Sequence, residues 1–397
     1  MHIWLISAYD QPKGMSSRSY DLALGLIKLG HEVTLFTNSY CHWTHKEILD
    51  QGERVRIEEI DGIQTVWLKT FPYKGNGLGR GINMLSNAFM VLEYSKLLKK
   101  KPDSIVGPSV PIITGLAAYI LAKKYKSRFI FEVRDVWPIA LVDSGAISKW
   151  NIIYLIFRAI EKFLYKKAKY ISSTLPFIQA HVEASGSDPG KIVWIPNCMS
   201  GKNEFSQKEN ESSKERLKVI YLGGFGQEHD VMNIVNAAFI IKQKEIEDVE
   251  FLIYGDGPKK ALCIEAASKK GLNNILFNAP VSKSLVQSRL AEADVLVACV
   301  IDSPVYKFGI NLNKIYDYFL ARKPILFAGN TPNNPVKESS SGISLPPENP
   351  EALAQAILKF KSMTPQQRNV YGERGFSYAK IHYSQDALAS RFEKLIL

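Results

Sequence analysis

Three segments of this chain place glycine or asparagine where a backbone can meet an anion, two of them directly after an apolar run. Gly223-Gly224-Phe225-Gly226 follows the run 219–222. Its glycines allow close backbone approach and offer N–H groups to a phosphate; they suit a tight strand-to-helix turn equally well. In a G-x-G-x-x-G count from Gly224 the third glycine position holds His229, and the first apolar run carries no such motif, which disfavours a dinucleotide-dependent oxidoreductase. Gly255-Asp256-Gly257-Pro258 follows the run 251–254 and reads the same two ways. The third segment runs from Gly309 through Ile310, Asn311, Leu312, Asn313 and Lys314 to Asp317. Asn311 or Asn313 can begin a helix there. Free N–H groups, the helix dipole and Lys314 would then converge on a diphosphate, with Asp317 close enough to accept hydrogen bonds from ribose hydroxyls. Plain helix capping with a dipole-stabilising Asp is the alternative.

Arg134-Asp135 closes the run 129–133 just before Trp137-Pro138, either as a charged pair facing a ligand or as a structural ion pair. Gly14-Met15-Ser16-Ser17-Arg18 stands at the first strand-to-helix turn and offers a phosphate or sugar contact. Cys41, His42 and His45 fall short of the four ligands of a structural metal site, and the chain has no Asp-x-Asp pair; no metal is expected. The stretches 83–101 and 149–170 mix apolar residues with lysines, as basic helices on an anionic membrane do and as core-packed helices with solvated lysines also do.

The elements that must position these residues follow from periodicity. Apolar runs at 3–7, 33–37, 66–68, 104–107, 129–133, 170–173 and 192–195 alternate with helix-length amphipathic stretches, the first at 16–29 ending in Gly30. Residues 201–216 are polar and charged and read as a linker. A second series follows, with strands at 219–222, 251–254, 275–277, 295–298 and 325–327, helices near 231–243, 259–270, 282–292 and 312–321, and a last amphipathic helix at 387–397. Alternation of this kind predicts an α/β protein of two Rossmann-like domains with parallel sheets: 1–198, a linker at 199–216, 217–376, and a terminal segment 377–397 packing back on the first domain. Ligands of such sheets sit beyond the C-terminal strand ends, which predicts a site in a cleft between domains.

Composition narrows the class. The 397 residues are 46% hydrophobic and 22% charged, an ordinary globular balance. Four cysteines without C-x-x-C spacing exclude a disulfide scaffold and point to a reducing compartment. The longest apolar run, 112–122, is short of a membrane span, and the first residues read as a strand, not a leader. The net charge is +11, of which residues 1–200 hold +8 from 25 Lys and Arg against 17 Asp and Glu. Such an excess favours anionic partners; no nucleic-acid motif accompanies it.

With these positions in hand, the chain resembles glycosyltransferase family 4, retaining enzymes of GT-B fold, and most of all the branch building bacterial surface polysaccharides, including fucosamine-type transferases. The resemblance is carried by 14–33 (GMSSRSYDLALGLIKLGHEV), 132–138 (EVRDVWP), 161–168 (EKFLYKKA), 191–197 (KIVWIPN), 254–258 (YGDGP) and 313–324 (NKIYDYFLARKP). It implies an N-terminal domain that binds acceptor and a C-terminal domain that binds a nucleotide-sugar, UDP-linked, as substrate and without a cofactor. Gly14, Met15, Ser16 and Arg18 would line the acceptor cleft, and Arg134 and Asp135 would act at the transferred sugar. Gly223, Gly224, Phe225, Gly226, Gly255, Asp256, Gly257, Val281, Asn311, Leu312, Asn313, Lys314 and Asp317 would bind the nucleotide-sugar. Two departures stand out. Gly309 occupies the position of the first Glu of the family's Glu–seven residues–Glu motif. The Arg and Lys that clamp the diphosphate after the first C-domain strand are missing, with His229 near the Lys position; Lys314, Lys307 and backbone N–H groups remain for that task. The partners implied are a lipid-linked or oligosaccharide acceptor and the inner face of the plasma membrane. A non-catalytic nucleotide-sugar-binding subunit and a GT-B sugar-nucleotide epimerase are the alternatives.

Overall fold

Strands buried on both faces need apolar residues at nearly every position, and parallel sheets covered by helices show it as continuous apolar runs. His2–Ile6 (β1), Glu32–Asn38 (β2), Val55–Ile60 (β3), Ile63–Leu68 (β4), Ser104–Pro108 (β5), Arg128–Val133 (β6), Tyr170–Ser173 (β7) and Ile192–Trp194 (β8) form one sheet in the order β3-β4-β2-β1-β5-β6-β7-β8. The computed structural model describes residues 1–14, 17–75, 77–200 and 216–397. The expected linker at 199–216 therefore lies, from 201 to 215, outside the described residues. The chain forms two compact units, Met1–Cys198 with Gln385–Leu397, and Met199–Ser384.

In the first unit every neighbouring pair is parallel except β3 with β4. β3 is an addition to the expected series. It alternates apolar and charged residues at the sheet edge, where Glu58 accepts a hydrogen bond from Trp67 Nε1 at 2.6 Å. The helix Arg18–Lys28 covers this sheet, and Gly25 is the close point of its packing: a Cβ there would lie 2.7 Å from the Ala389 Cβ. The C-terminal helix Gln385–Ile396 packs against that position and adds Leu388, Phe392, Leu395 and Ile396 to a core of Ile3, Leu5, Leu26 and Leu35.

The second unit is a six-stranded parallel sheet of Leu217–Leu222 (β9), Val249–Tyr254 (β10), Ile275–Asn278 (β11), Val295–Cys299 (β12), Ile325–Ala328 (β13) and Gly342–Leu345 (β14), ordered β11-β10-β9-β12-β13-β14. β14, half-buried at the edge, is the strand not expected from sequence. Val219, Phe225, Ile234, Phe251, Val295 and Phe360 build the core. The helix Pro365–His382 belongs to this unit. Among the described residues no helix is long and apolar enough to cross a membrane, and no group of three or more His, Cys, Asp or Glu is placed to hold a metal ion.

Candidate functional site

The two glycine turns of the second unit are built on each other. Gly223 N donates to Tyr254 O at 3.0 Å, Phe225 N to Asp256 O at 2.9 Å, and Lys259 N to Phe225 O at 3.2 Å. Gly255 has φ +145°, and a Cβ there would sit 1.8 Å from the Gly223 carbonyl oxygen; one on Gly257 would sit 2.8 Å from Phe225. Close approach of loop to loop thus accounts for Gly255 and Gly257, in line with the tight-turn reading. Phe225, expected at the ligand, is fully buried, so its ring holds the loop to the core.

Gly223 serves a different neighbour. A Cβ there would lie 2.5 Å from Lys314 Nζ, so the glycine makes room for a lysine head. Lys314 is the second residue of the helix Asn313–Leu320, which follows the 3₁₀ turn Pro304–Phe308. Its amine donates to Tyr221 Oη at 2.8 Å and lies 4.2 Å from that ring's centroid; Tyr221 Oη donates in turn to Gly224 O at 2.6 Å. Burial pushes the Lys314 ammonium down to about 7. His229 faces the same loop, its Cδ2 3.7 Å from where a Gly224 Cβ would be, and its buried Nδ1 has no hydrogen-bond partner. Burial first, then Lys314 and Lys259, lower its pKa to about 3, so the ring is neutral.

Asn313, one of the two expected starts, begins the helix. The N-cap is Leu312, which makes no side-chain capping bond, and Asn311 Oδ1 instead accepts from Tyr316 Oη at 2.8 Å. Asn313 is the exposed first helical residue, and Asp317 lies half-buried on the next turn, its carbonyl accepting from Gln287. The preceding segment is clamped by a residue that sequence reasoning missed. Asn333 Oδ1 accepts from Ile310 N at 2.7 Å, and its Nδ2 donates to Ile310 O at 3.1 Å. A lone Asn in a polar loop gives no such signal. Val281 is half-buried between β11 and the helix Lys283–Ala291, and Lys307 Nζ lies 5.0 Å from the Phe308 ring centroid.

In the first unit Arg134 and Asp135 are not a pair. Arg134 Nε donates to Glu132 at 2.8 Å, and its Nη2 donates to buried Asp10 and to Ser19 Oγ. Burial alone would raise the Glu132 carboxyl; Arg18 and Arg134 outweigh it and hold the group below its usual range. These bonds tie Arg134 to the loop after β1 and to the helix that follows it. Asp135 is the exposed carboxylate, its carbonyl accepting from Ser109 Oγ at 3.0 Å. Arg18 is likewise committed within the unit. Its Nε donates to Glu132 at 3.0 Å, its Nη1 to Pro196 O at 2.6 Å and Asn197 Oδ1 at 3.1 Å, and its Nη2 to Ile195 O at 2.7 Å. Gly14 N closes a turn on Gln11 O at 3.0 Å; Met15 and Ser16 lie outside the described residues.

Two parallel-sheet α/β units of this kind are the GT-B architecture. In solved structures the same fold covers 99% of this chain and 98% of the sucrose-phosphate synthase of Thermosynechococcus elongatus, at TM-score 0.73 and 16% identity. It covers the same shares of WaaG, a glycosyltransferase involved in lipopolysaccharide biosynthesis, at TM-score 0.66 and 14% identity. Anabaena HepE, solved in complex with UDP and glucose, matches at TM-score 0.67 and 12% identity over 99% of this chain and 98% of that one. Residues 13–198 match the family model described as a glycosyl transferase 4-like domain, and residues 216–362 match that of glycosyl transferases group 1. The chain thus carries a glycosyl transferase 4-like domain and a glycosyl transferases group 1 domain on a GT-B fold. A curated relative, the probable glycosyltransferase WbjE of Pseudomonas aeruginosa, is 22% identical over 72% of both chains.

Proposed function

We propose that the protein is a retaining glycosyltransferase. It moves a hexosyl or N-acetylaminosugar unit from a UDP-sugar to a lipid-linked or oligosaccharide acceptor in bacterial surface-polysaccharide synthesis, such as O-antigen, capsule or exopolysaccharide. The observation that carries this reading is the helix start at Asn313, without a side-chain cap, whose Lys314 reaches the Gly223–Gly226 turn. Front-face transfer demands stabilisation of a leaving diphosphate and an oxocarbenium-like sugar, and helix N–H groups with a lysine supply positive charge for the former without a metal. Gly224 and Gly226 bring backbone near the phosphates, Asp317 takes the ribose, and Asp135 acts at the sugar or acceptor. Relatives lend support: HepE was solved with UDP and glucose, and WaaG works in lipopolysaccharide biosynthesis.

Isothermal titration with UDP tests the donor site. Asp317→Ala removes a charge-assisted hydrogen bond of about 1.5–3 kcal/mol, so affinity drops roughly ten- to hundredfold with the fold retained. Unchanged affinity would remove Asp317 from the site.

The same reading places the enzyme peripherally on the cytoplasmic membrane face. Around the helix Ile152–Lys167 the first unit exposes Trp150 (88%) and Ile152 (66%), with Leu155 and Ile156 also outward, next to Lys162, Lys166 and Lys167. Phe157 instead lies half-buried against Trp137, ring centroids 4.9 Å apart. Each basic residue near an anionic surface contributes about 1 kcal/mol, an attraction that salt screens. Sedimentation with liposomes should show binding that needs anionic lipid and weakens in high salt or with Lys162, Lys166 and Lys167 changed to Glu. Indifference to anionic liposomes at low salt would mean a soluble acceptor.

A further inference from the structure

The first unit holds an aromatic cluster that none of the roles above uses. β1, β2 and β4 are adjacent parallel strands, so the segments that leave their C-terminal ends meet at one edge of the sheet. Those segments bring Tyr9, then Tyr40, His42 and Trp43, then Tyr73. The His42 ring lies 5.3 Å from Tyr9, 4.8 Å from Trp43 and 5.7 Å, stacked, from Tyr73 between centroids. His42 Nδ1 is 2.6 Å from Tyr73 Oη, and Tyr40 Oη donates to the Tyr73 carbonyl at 2.5 Å. Arg80, in the first turn of the helix Leu78–Tyr94, lies 5.5 Å from the Tyr9 ring centroid.

A cluster built only for packing would turn its largest ring inward. Here Tyr40 and Tyr73 are buried while Trp43 stays 57% exposed, so an apolar face meets solvent at the strand ends where α/β sheets take ligands. Burial, with Arg80 and His45 adding, lowers the His42 pKa to about 4, so the ring that backs Trp43 is neutral and adds aromatic surface with a polar edge. A pyranose ring has matching chemistry. Its axial C–H groups form an apolar face that lies on an aromatic ring, and its hydroxyls need polar groups at the rim, the mix of aromatic surface and few polar groups that small-ligand sites use. The arginine side chain supplies donors for hydroxyls or a ring substituent.

We propose that Tyr9, His42, Trp43, Tyr73 and Arg80 form a saccharide platform that receives a pyranose ring of the acceptor, with Trp43 as its stacking face. The proposal rests on the transferase reading for the word acceptor, while the platform itself stands on this cluster alone.

The test screens wild type and Trp43→Ala against an array of defined bacterial oligosaccharides, with UDP titrated in parallel. Trp43→Ala should bind the recognised saccharides at least tenfold more weakly with UDP affinity unchanged, and Trp43→Phe should restore part of the loss. Equal saccharide binding by wild type and Trp43→Ala, or no saccharide bound by wild type, overturns the platform. If UDP fails to bind wild type while saccharide binding depends on Trp43, the donor reading fails and the platform stands.

Discussion

Arg134→Met should lower the thermal stability of the first unit by about 3–5 kcal/mol, because removing one partner of a buried ion cluster strands the others. Asp10 is fully buried and Glu132 nearly so, and Arg134 donates to both. Arg18 still serves Glu132 in the variant, so Asp10 bears most of the loss. For a unit of roughly 200 residues each kcal/mol moves Tm by about 2–4 °C, giving a fall on the order of 10 °C. The Asp10→Asn/Arg134→Met double variant should recover part of this, since it also removes the buried negative charge that Arg134 balances. Acid acts in the same direction. Glu132 is held below its unfolded pKa, so its contribution is present above that value and is lost as pH falls through the folded one. Calorimetry of the three proteins checks the account; an unchanged Tm in Arg134→Met would return Arg134 to a direct role at the sugar.

UDP binding should take up a proton at pH 8, and Lys314→Met should abolish that uptake. In the free protein the Lys314 amine, buried beside Tyr221, titrates near 7, so it is mostly neutral at pH 8. A diphosphate alongside favours the ammonium, and binding draws a proton onto it. Affinity should therefore fall as pH rises above 7. Stability of the free protein moves the other way: the folded pKa lies below the unfolded one, so the unfolded chain binds more protons between about 7 and 10.5 and the fold gains stability across that window. Lys314→Met should lose a charge-assisted contact worth about 1.5–3 kcal/mol, roughly ten- to hundredfold in Kd, without loss of fold. Neighbouring His229, with its pKa near 3, stays neutral throughout, which assigns the titration to Lys314. Calorimetry in buffers of different ionisation enthalpy measures the uptake directly; equal apparent enthalpies would contradict it.

The inner strands of both sheets were legible because burial on two faces makes a strand an unbroken apolar run, as in His2–Ile6 and Val295–Cys299. Two of the four edge strands escaped, while Ile192–Trp194 and Ile275–Asn278 at the opposite edges kept readable apolar runs. Val55–Ile60 faces water and carries Arg56, Glu58 and Glu59, and Gly342–Leu345 is only half-buried. At the site, sequence located Lys314 and the glycine turns but not what they touch. That Gly223 makes room for Lys314 and that Gly255 bears on Gly223 are contacts between separate strand ends, set by sheet order. Arg18 and Glu132 lie 114 residues apart in the chain, and no local pattern marks a buried ion pair at that distance. Even within the resembling segments the role of a residue was hidden: Glu161 proves to be buried, accepting from Arg158 and paired with His181 at 2.7 Å.

The measurement that bears most directly on the central claim is transfer of a labelled sugar from UDP-sugar donors to the membrane lipid fraction of a polysaccharide-producing bacterium. The account predicts label in the lipid fraction with wild type, little with Asp317→Ala, and an anomeric configuration of the new linkage, read by NMR, equal to that of the donor. Label that stays in the nucleotide-sugar pool, unchanged or as an epimer, or a product of inverted configuration, would contradict it.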